Sequence, residues 1–181
     1  MSKPEIETLS SRIAYRNRWI RVREDAVRRA DGSTGIYGVV ERYDFAVIVP
    51  VAADGSIHLV EQYRYPVGGR YWELPQGAWE DAPGTDPAVL AAGELREETG
   101  LVAGRMTHLG HLFLAAGLAT QGYDIFVAED LTQATRALEV EEQGLVAHCF
   151  ARAEIDAMIL DGTIKDATTV AALAMFDRHR R

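Results

Sequence analysis

The rhythm of apolar residues changes along the chain, and each rhythm predicts a different element. The run Phe45–Ala52 is nearly unbroken in hydrophobic, largely β-branched side chains, which suits a strand covered on both faces. Asp54-Gly55 is a hairpin signal between AVIVPVA (46–52) and IHLVEQY (57–63), so a second strand is expected to fold back there. Upstream, Arg21 to Tyr37 is richer in charge, contains another such turn at Asp31-Gly32 and reads as a more exposed sheet. The whole stretch from Trp19 to Glu61 therefore reads as strands broken by turns. A change of composition near 42–44 predicts an N-terminal β subdomain over 1–43 and a larger domain over 44–181.

Proline and glycine crowd residues 64–86, predicting loops. Pro87 then suits the first turn of a helix, with Asp86 before it as N-cap and Gly100 as the stop. Strand-like pieces follow near 107–114, 123–128 and 145–151. Two helical segments, 153–161 and 167–179, are separated by Asp161-Gly162. The alternation of strands and helices makes this an α/β chain.

Charge narrows the partners. The 181 residues carry 19 Lys and Arg against 27 Asp and Glu, a formal net charge of −8. That balance argues against nonspecific nucleic-acid binding and against docking on an anionic membrane. Cys149 stands alone, so no internal disulfide or cysteine-rich zinc site is expected, and the reading is a small buried hydrophobe. With no apolar run near the start or of spanning length, the expected location is the cytoplasm.

The informative chemistry lies in GELREETGL, residues 93–101. Glu94, Glu97 and Glu98 stand at i, i+3 and i+4, which places three carboxylates on one helical face. Like charges at these spacings cost roughly 0.2–0.5 kcal/mol per pair. The negative end of the helix dipole adds to the cost. A hard divalent cation would offset it, since Mg²⁺ or Mn²⁺ takes oxygen ligands and is commonly held by carboxylates together with substrate phosphates. It would also supply the positive charge that a polyanionic substrate needs.

Gly77, the pair Glu94-Leu95, the pair Glu97-Glu98 and the ending Gly100-Leu101 together resemble the Nudix box, G-x5-E-x7-R-E-U-x-E-E-x-G-U, with U an aliphatic residue. Upstream VEQYRYPVGGRYWELPQG and downstream ILDGTIKDATTVAALAMF resemble the branch that hydrolyses ADP-ribose and other nucleoside diphosphate sugars. The resemblance implies a Nudix fold, an α/β/α sandwich with a mixed sheet, preceded by an antiparallel N-terminal sheet. It implies metal-dependent cleavage of a pyrophosphate bond, with Glu94, Glu97, Glu98 and the Gln76 carbonyl as metal ligands and Mg²⁺ or Mn²⁺ as cofactor. Glu97 and Glu98 would serve catalysis, and the acidic stretch LEVEEQG offers Glu142, then Glu141, as base, with Glu139 also present.

Substrate contacts are expected from Arg64 near the phosphates, from Arg42, and from Trp19 and Tyr37 stacking on a base. Arg70 and Tyr65 are lesser options. Trp72 reads as a core anchor, and His108 and His111 read as structural. Relatives with the extra sheet are dimers that exchange N-terminal strands, so a homodimer is expected.

Three features depart from the box. Gly77 lies 17 positions before Glu94, two more than the pattern, implying an insertion near Glu80–Ala82. Thr85 stands where the box has its first glutamate. Gly93 replaces the arginine that braces the helix carboxylates, so Gly93→Arg is expected to restore stability or activity. These substitutions keep open a second reading, a non-catalytic Nudix-fold sensor that binds a nucleotide sugar. Ala116 and Gln121 differ from residues frequent in ADP-ribose hydrolases, which leaves ADP-glucose and GDP-mannose as alternative substrates.

Overall fold

The computed structural model describes residues 4–135 and 144–180. Strand β4 (Phe45–Pro50) alternates between two apolar surroundings, as an unbroken hydrophobic run requires. Val47 and Val49 join Ile57, Leu59, Leu74, Ile125, Leu173 and Phe176 on one side. Ala46 and Ile48 join Leu90, Ala91, Leu95, Phe126 and Ala128 on the other. Further along the chain come β5 (Ile57–Arg64), a 3-10 turn at Tyr65–Val67, β6 (Gly69–Glu73) and β7 (Gln76–Gly77). Helix α1 (Pro87–Thr99) follows, then β8 (Leu101–Phe113), β9 (Gly122–Gln133), β10 (Val146–Phe150), α2 (Arg152–Asp161) and α3 (Ala167–His179).

Strands β7-β4-β9-β8 form a mixed sheet in which β4 runs antiparallel to β7 and parallel to β9. Helix α1 supplies Leu90, Ala91 and Leu95 to one face, while Ile155 of α2 and Ala172, Leu173 and Phe176 of α3 pack on the opposite side. Strands β10-β5-β6 make a second, antiparallel sheet whose Ile57 and Leu59, with Leu74 just past β6, share that second cluster. A mixed sheet between helices, the expected α/β/α arrangement, is thus what these residues build.

The chain divides into two compact units. The described residues up to Asp44 with Phe113–Gly122 form one, and Phe45–Leu112 with the described residues from Tyr123 on form the other. In the first, β1 (Ile6–Arg16), β2 (Arg21–Arg29) and β3 (Thr34–Glu41) pair antiparallel in the order β1-β2-β3. Strand β1 lies upstream of the segment expected to be strands. Every one of its residues is exposed, so no buried face imposes the apolar alternation that would have marked it. Its placement comes from the backbone ladder with β2 and from pairs such as Arg12 Nη2 on Glu24 at 2.7 Å.

Strands β8 and β9 are longer than the pieces expected, because β8 starts directly after the Gly100 stop. Cys149 corrects another expectation. It is half-exposed rather than in the core, with Sγ 2.9 Å from Ser56 Oγ.

Candidate active site

Helix α1 begins and ends where its caps dictate. Asp86 accepts from the Ala88 N–H at 2.8 Å, Pro87 fills the first turn, and Gly100 adopts φ 73°, a left-handed stop that a side chain would disfavour. Between the caps, Leu90, Ala91 and Leu95 face the core, which fixes the rotation of the helix. That rotation turns Glu94 and Glu98 inward, at 4% and 1% exposure, and leaves Glu97 half-buried and Arg96 exposed.

The partner of this face is the β6–β7 bend. Gln76 and Gly77 pair with Val47 and Ala46 of β4, and the Ile48 N–H donates to the Pro75 carbonyl at 2.9 Å. The Gln76 N–H donates to Glu98 Oε2 at 3.0 Å, tying strand to helix. Gly77 lets Glu94 approach the backbone, since a Cβ there would lie 2.5 Å from Glu94 Cδ and 2.7 Å from Oε1. A third element holds the bend from behind. Asp166 caps α3 through the Thr169 N–H and hydroxyl at 2.8 and 2.7 Å, and its Oδ2 also accepts from Gln76 Nε2 at 3.2 Å. Thr169 Oγ1 accepts from the Leu74 N–H at 2.9 Å.

Glu94, Glu97, Glu98 and Gln76 are therefore brought to one helix face and the bend that abuts it. Among the described residues no three His, Cys, Asp or Glu side chains converge on a common point as an ion would require. One oxygen of the third glutamate has a neutral partner: Trp79 Nε1 donates to Glu97 Oε2 at 3.4 Å. The donor chemistry still suits a hard divalent cation. Two buried carboxyl groups one helical turn apart gain from a nearby positive charge, and oxygen ligands are what Mg²⁺-like ions take.

Gly93 departs from the sequence expectation. Rather than a vacant place for an arginine, it is the floor of a packed contact, because a Cβ there would lie within 2.6 Å of Trp79 Cη2 and closer still to Cζ2. Trp79 also packs against the cluster containing Leu90, Ala91 and Leu95. Thr85 closes the preceding loop, its hydroxyl donating to the Ala82 carbonyl at 2.7 Å.

Arg64 lies against Glu73 in a two-point contact, Nη2 to Oε1 at 2.6 Å and Nε to Oε2 at 3.2 Å. Gln62 Nε2 adds a 2.7 Å bond to the same carboxyl group. Burial pushes the Glu73 carboxyl above its usual range, with Arg64 pulling the other way. The raised native value means that the folded protein binds this proton more tightly than the unfolded chain. The corresponding stabilisation is complete below about pH 4.5 and disappears as pH rises through the native value. In Glu73→Gln that dependence is expected to vanish. The thermal midpoint of the wild type, measured relative to the variant, should fall as pH climbs from 4 towards neutrality, and a constant offset would contradict the assignment.

Arg42 and Trp19 line a cavity of about 330 Å³ in the N-terminal unit with Arg16, Arg18, Tyr43 and the ion-paired Arg21 and Glu41. Tyr37 is exposed on β3, its hydroxyl 3.4 Å from the Gly117 carbonyl. Tyr65 is exposed, and Arg70 bonds Glu61 and the Gly144 carbonyl. Trp72 packs at the core edge against Phe150. His108 and His111 both contact Asp124, at 2.7 and 3.3 Å. Glu139, Glu141 and Glu142 lie outside the described residues. Sequence reasoning did not single out Glu73, Trp79, Asp166 or Thr169, although WELPQG contains Glu73 and the downstream stretch ILDGTIKDATTVAALAMF contains Asp166 and Thr169.

Two family profiles match this chain. A nucleoside diphosphate sugar hydrolase N-terminal domain covers residues 6–40, and a NUDIX domain covers residues 42–167. The chain is 32% identical over 174 residues to the ADP-ribose pyrophosphatase of Mycobacterium tuberculosis, spanning 96% of this chain and 84% of that protein. It is 28% identical over 142 residues to the methanol dehydrogenase activator of Bacillus methanolicus, spanning 78% of this chain and 76% of that one. A crystal structure of an ADP compounds hydrolase superposes with TM-score 0.85 at 22% identity, over 98% of this chain and 95% of its own. That likeness shows the fold.

Proposed function

The chain belongs to the NUDIX family, and from that premise we propose that it hydrolyses the pyrophosphate bond of a nucleoside diphosphate sugar, with ADP-ribose the leading substrate. It is a Nudix hydrolase, and enzymes of this family need a divalent metal. The observation that carries the reading at the site is the inward pair Glu94 and Glu98, beside the Gln76–Gly77 bend. Mg²⁺ or Mn²⁺ would be held by Glu94, Glu97, Glu98 and the Gln76 carbonyl. When bound, such an ion polarises the diphosphate and lowers the pKa of coordinated water.

The chain's own residues account for the rest. Glu98 fixes the bend through the Gln76 N–H, and Asp166 and Thr169 hold the same bend from α3. Arg64, kept in one orientation by Glu73, is assigned to the substrate phosphates. Arg42 and Trp19 are assigned to the base, and their shared arginine-rich cavity supports a ligand that is both anionic and aromatic. Tyr37 is a second stacking candidate, and Glu142, then Glu141, are proposed as the base that takes a proton from water.

Strand β1 supports a homodimer with exchanged N-terminal strands. It is an edge strand exposed along its whole length, with Ile6, Leu9, Ile13 and Tyr15 uncovered. No described helix is long and apolar enough to cross a membrane. We assign the protein to the cytoplasm, which suits a partly exposed, lone thiol.

The test is a panel of ADP-, GDP- and UDP-sugars incubated with Mg²⁺ or Mn²⁺. Two phosphate-terminated products, a nucleoside monophosphate and a sugar phosphate, are expected, fastest from ADP-ribose. Stabilisation by a nucleotide sugar without turnover would instead select the sensor.

A further inference from the structure

We infer that Trp79 is a positioning residue for Glu97, and that Gly93 exists in α1 to admit it. The inference rests on the proposed role of Glu97 at the metal site. A glycine six residues into a thirteen-residue helix weakens that helix. The structure supplies the reason for it: the indole of Trp79 lies where a side chain at 93 would begin, 2.6 Å from the ideal Cβ position at Cη2. From that seat, against the Leu90, Ala91 and Leu95 cluster, Nε1 reaches Glu97, one turn further along the same helix.

The loop that carries the indole is itself closed by successive turns. The Ala82 N–H donates to the Trp79 carbonyl at 3.1 Å, and the Thr85 N–H and hydroxyl donate to the Ala82 carbonyl at 3.2 and 2.7 Å. The two extra residues and Thr85, departures from the family pattern when read separately, thus form one device with Gly93. Glutamate has three rotatable side-chain bonds, and a half-buried one facing solvent samples many rotamers. A neutral donor fixes Glu97 Oε2 without competing for its charge, leaving Oε1 available to an ion or a water molecule.

Trp79→Phe would delete the Cζ2 and Cη2 carbons that lie over Gly93 together with the N–H, so the informative variant replaces Trp79 by its benzothiophene analogue, which keeps the fused ring and exchanges only the N–H for sulfur. Loss of an outer partner of this kind typically costs about 10–100-fold. The variant is expected to lose that factor in kcat with KM for the nucleotide sugar unchanged, and to bind Mn²⁺ about tenfold more weakly by calorimetry. The thermal midpoint of the metal-free protein should stay at its wild-type value. In a Glu97→Gln background the same change should add almost nothing to the loss in kcat, because the carboxylate whose placement matters is already gone.

A readout independent of metal comes from the indole N–H resonances of the three tryptophans. The signal missing from the benzothiophene variant should move in metal-free Glu97→Gln and the other two should not. Gly93→Ala, which displaces the ring, should reproduce the loss in kcat. An unmoved Trp79 signal, or wild-type kcat and Mn²⁺ affinity in the benzothiophene variant, overturns the inference while leaving the hydrolase reading in place. Additive effects accompanied by a lowered midpoint reduce Trp79 to packing and also overturn it. Failure of the wild type to bind Mn²⁺ or cleave any nucleotide sugar overturns the underlying reading instead.

Discussion

Glu98→Gln is expected to cut turnover on the order of 10³-fold, about 4 kcal/mol of transition-state stabilisation, while leaving the fold intact. The two halves of that expectation come from different atoms. An amide oxygen at this position can still accept the Gln76 N–H that now reaches Glu98 Oε2 at 3.0 Å, so the bend between β6 and β7 keeps its tie to α1. What disappears is a carboxyl group at 1% exposure, on the same helix face as buried Glu94. Without added cation, the variant should melt close to the wild type, because the Gln76 N–H keeps its acceptor. Steady-state kinetics and a melting curve in chelator check both halves. Near-normal rates in saturating Mg²⁺ would remove Glu98 from the metal set.

Gly77→Ala carries the next largest expected effect, and it acts without touching any charge. The added methyl would sit 2.5 Å from Glu94 Cδ, and Glu94 has only 4% of its surface free, so its carboxyl group has little room to retreat. Overpacking of this kind costs about 1–3 kcal/mol of stability. The displaced carboxylate should lower kcat by roughly 10²-fold, as an ångström of misplacement does at a pre-organised site. Stability by denaturant titration and kcat should fall together. A variant that lost stability but kept its rate would mean that Glu94 tolerates a new position and is dispensable for the ion.

Much of this arrangement can be read from the sequence because it is local. Asp86, Pro87 and Gly100 mark α1 at both ends, the spacing of Glu94, Glu97 and Glu98 states which of its faces carries acid, and Asp161-Gly162 separates the last two helices. The residues left unread act across long stretches of chain. Asp166 and Thr169 contact the bend from 90 and 95 positions away, and no local pattern encodes that. Gly93 is the instructive case. Sequence comparison with the box records a missing arginine, whereas its meaning depends on Trp79, which lies fourteen positions earlier in a loop of altered length. A gap in a motif describes only one side of a contact. Strand β1 escaped notice for a different reason: with no face buried in its own unit, its side chains follow no inward and outward rhythm.

The link between Leu74 and Thr169 sets an order of events in the life of the molecule. The backbone that presents Gln76 is fastened in part by α3, so the first hundred residues lack two of its ties. During synthesis the glutamates of α1 emerge well before their scaffold is complete. The ties from Asp166 and Thr169 to the bend can therefore form only after α3 has been made and has docked, which places the last step in building this backbone late in folding.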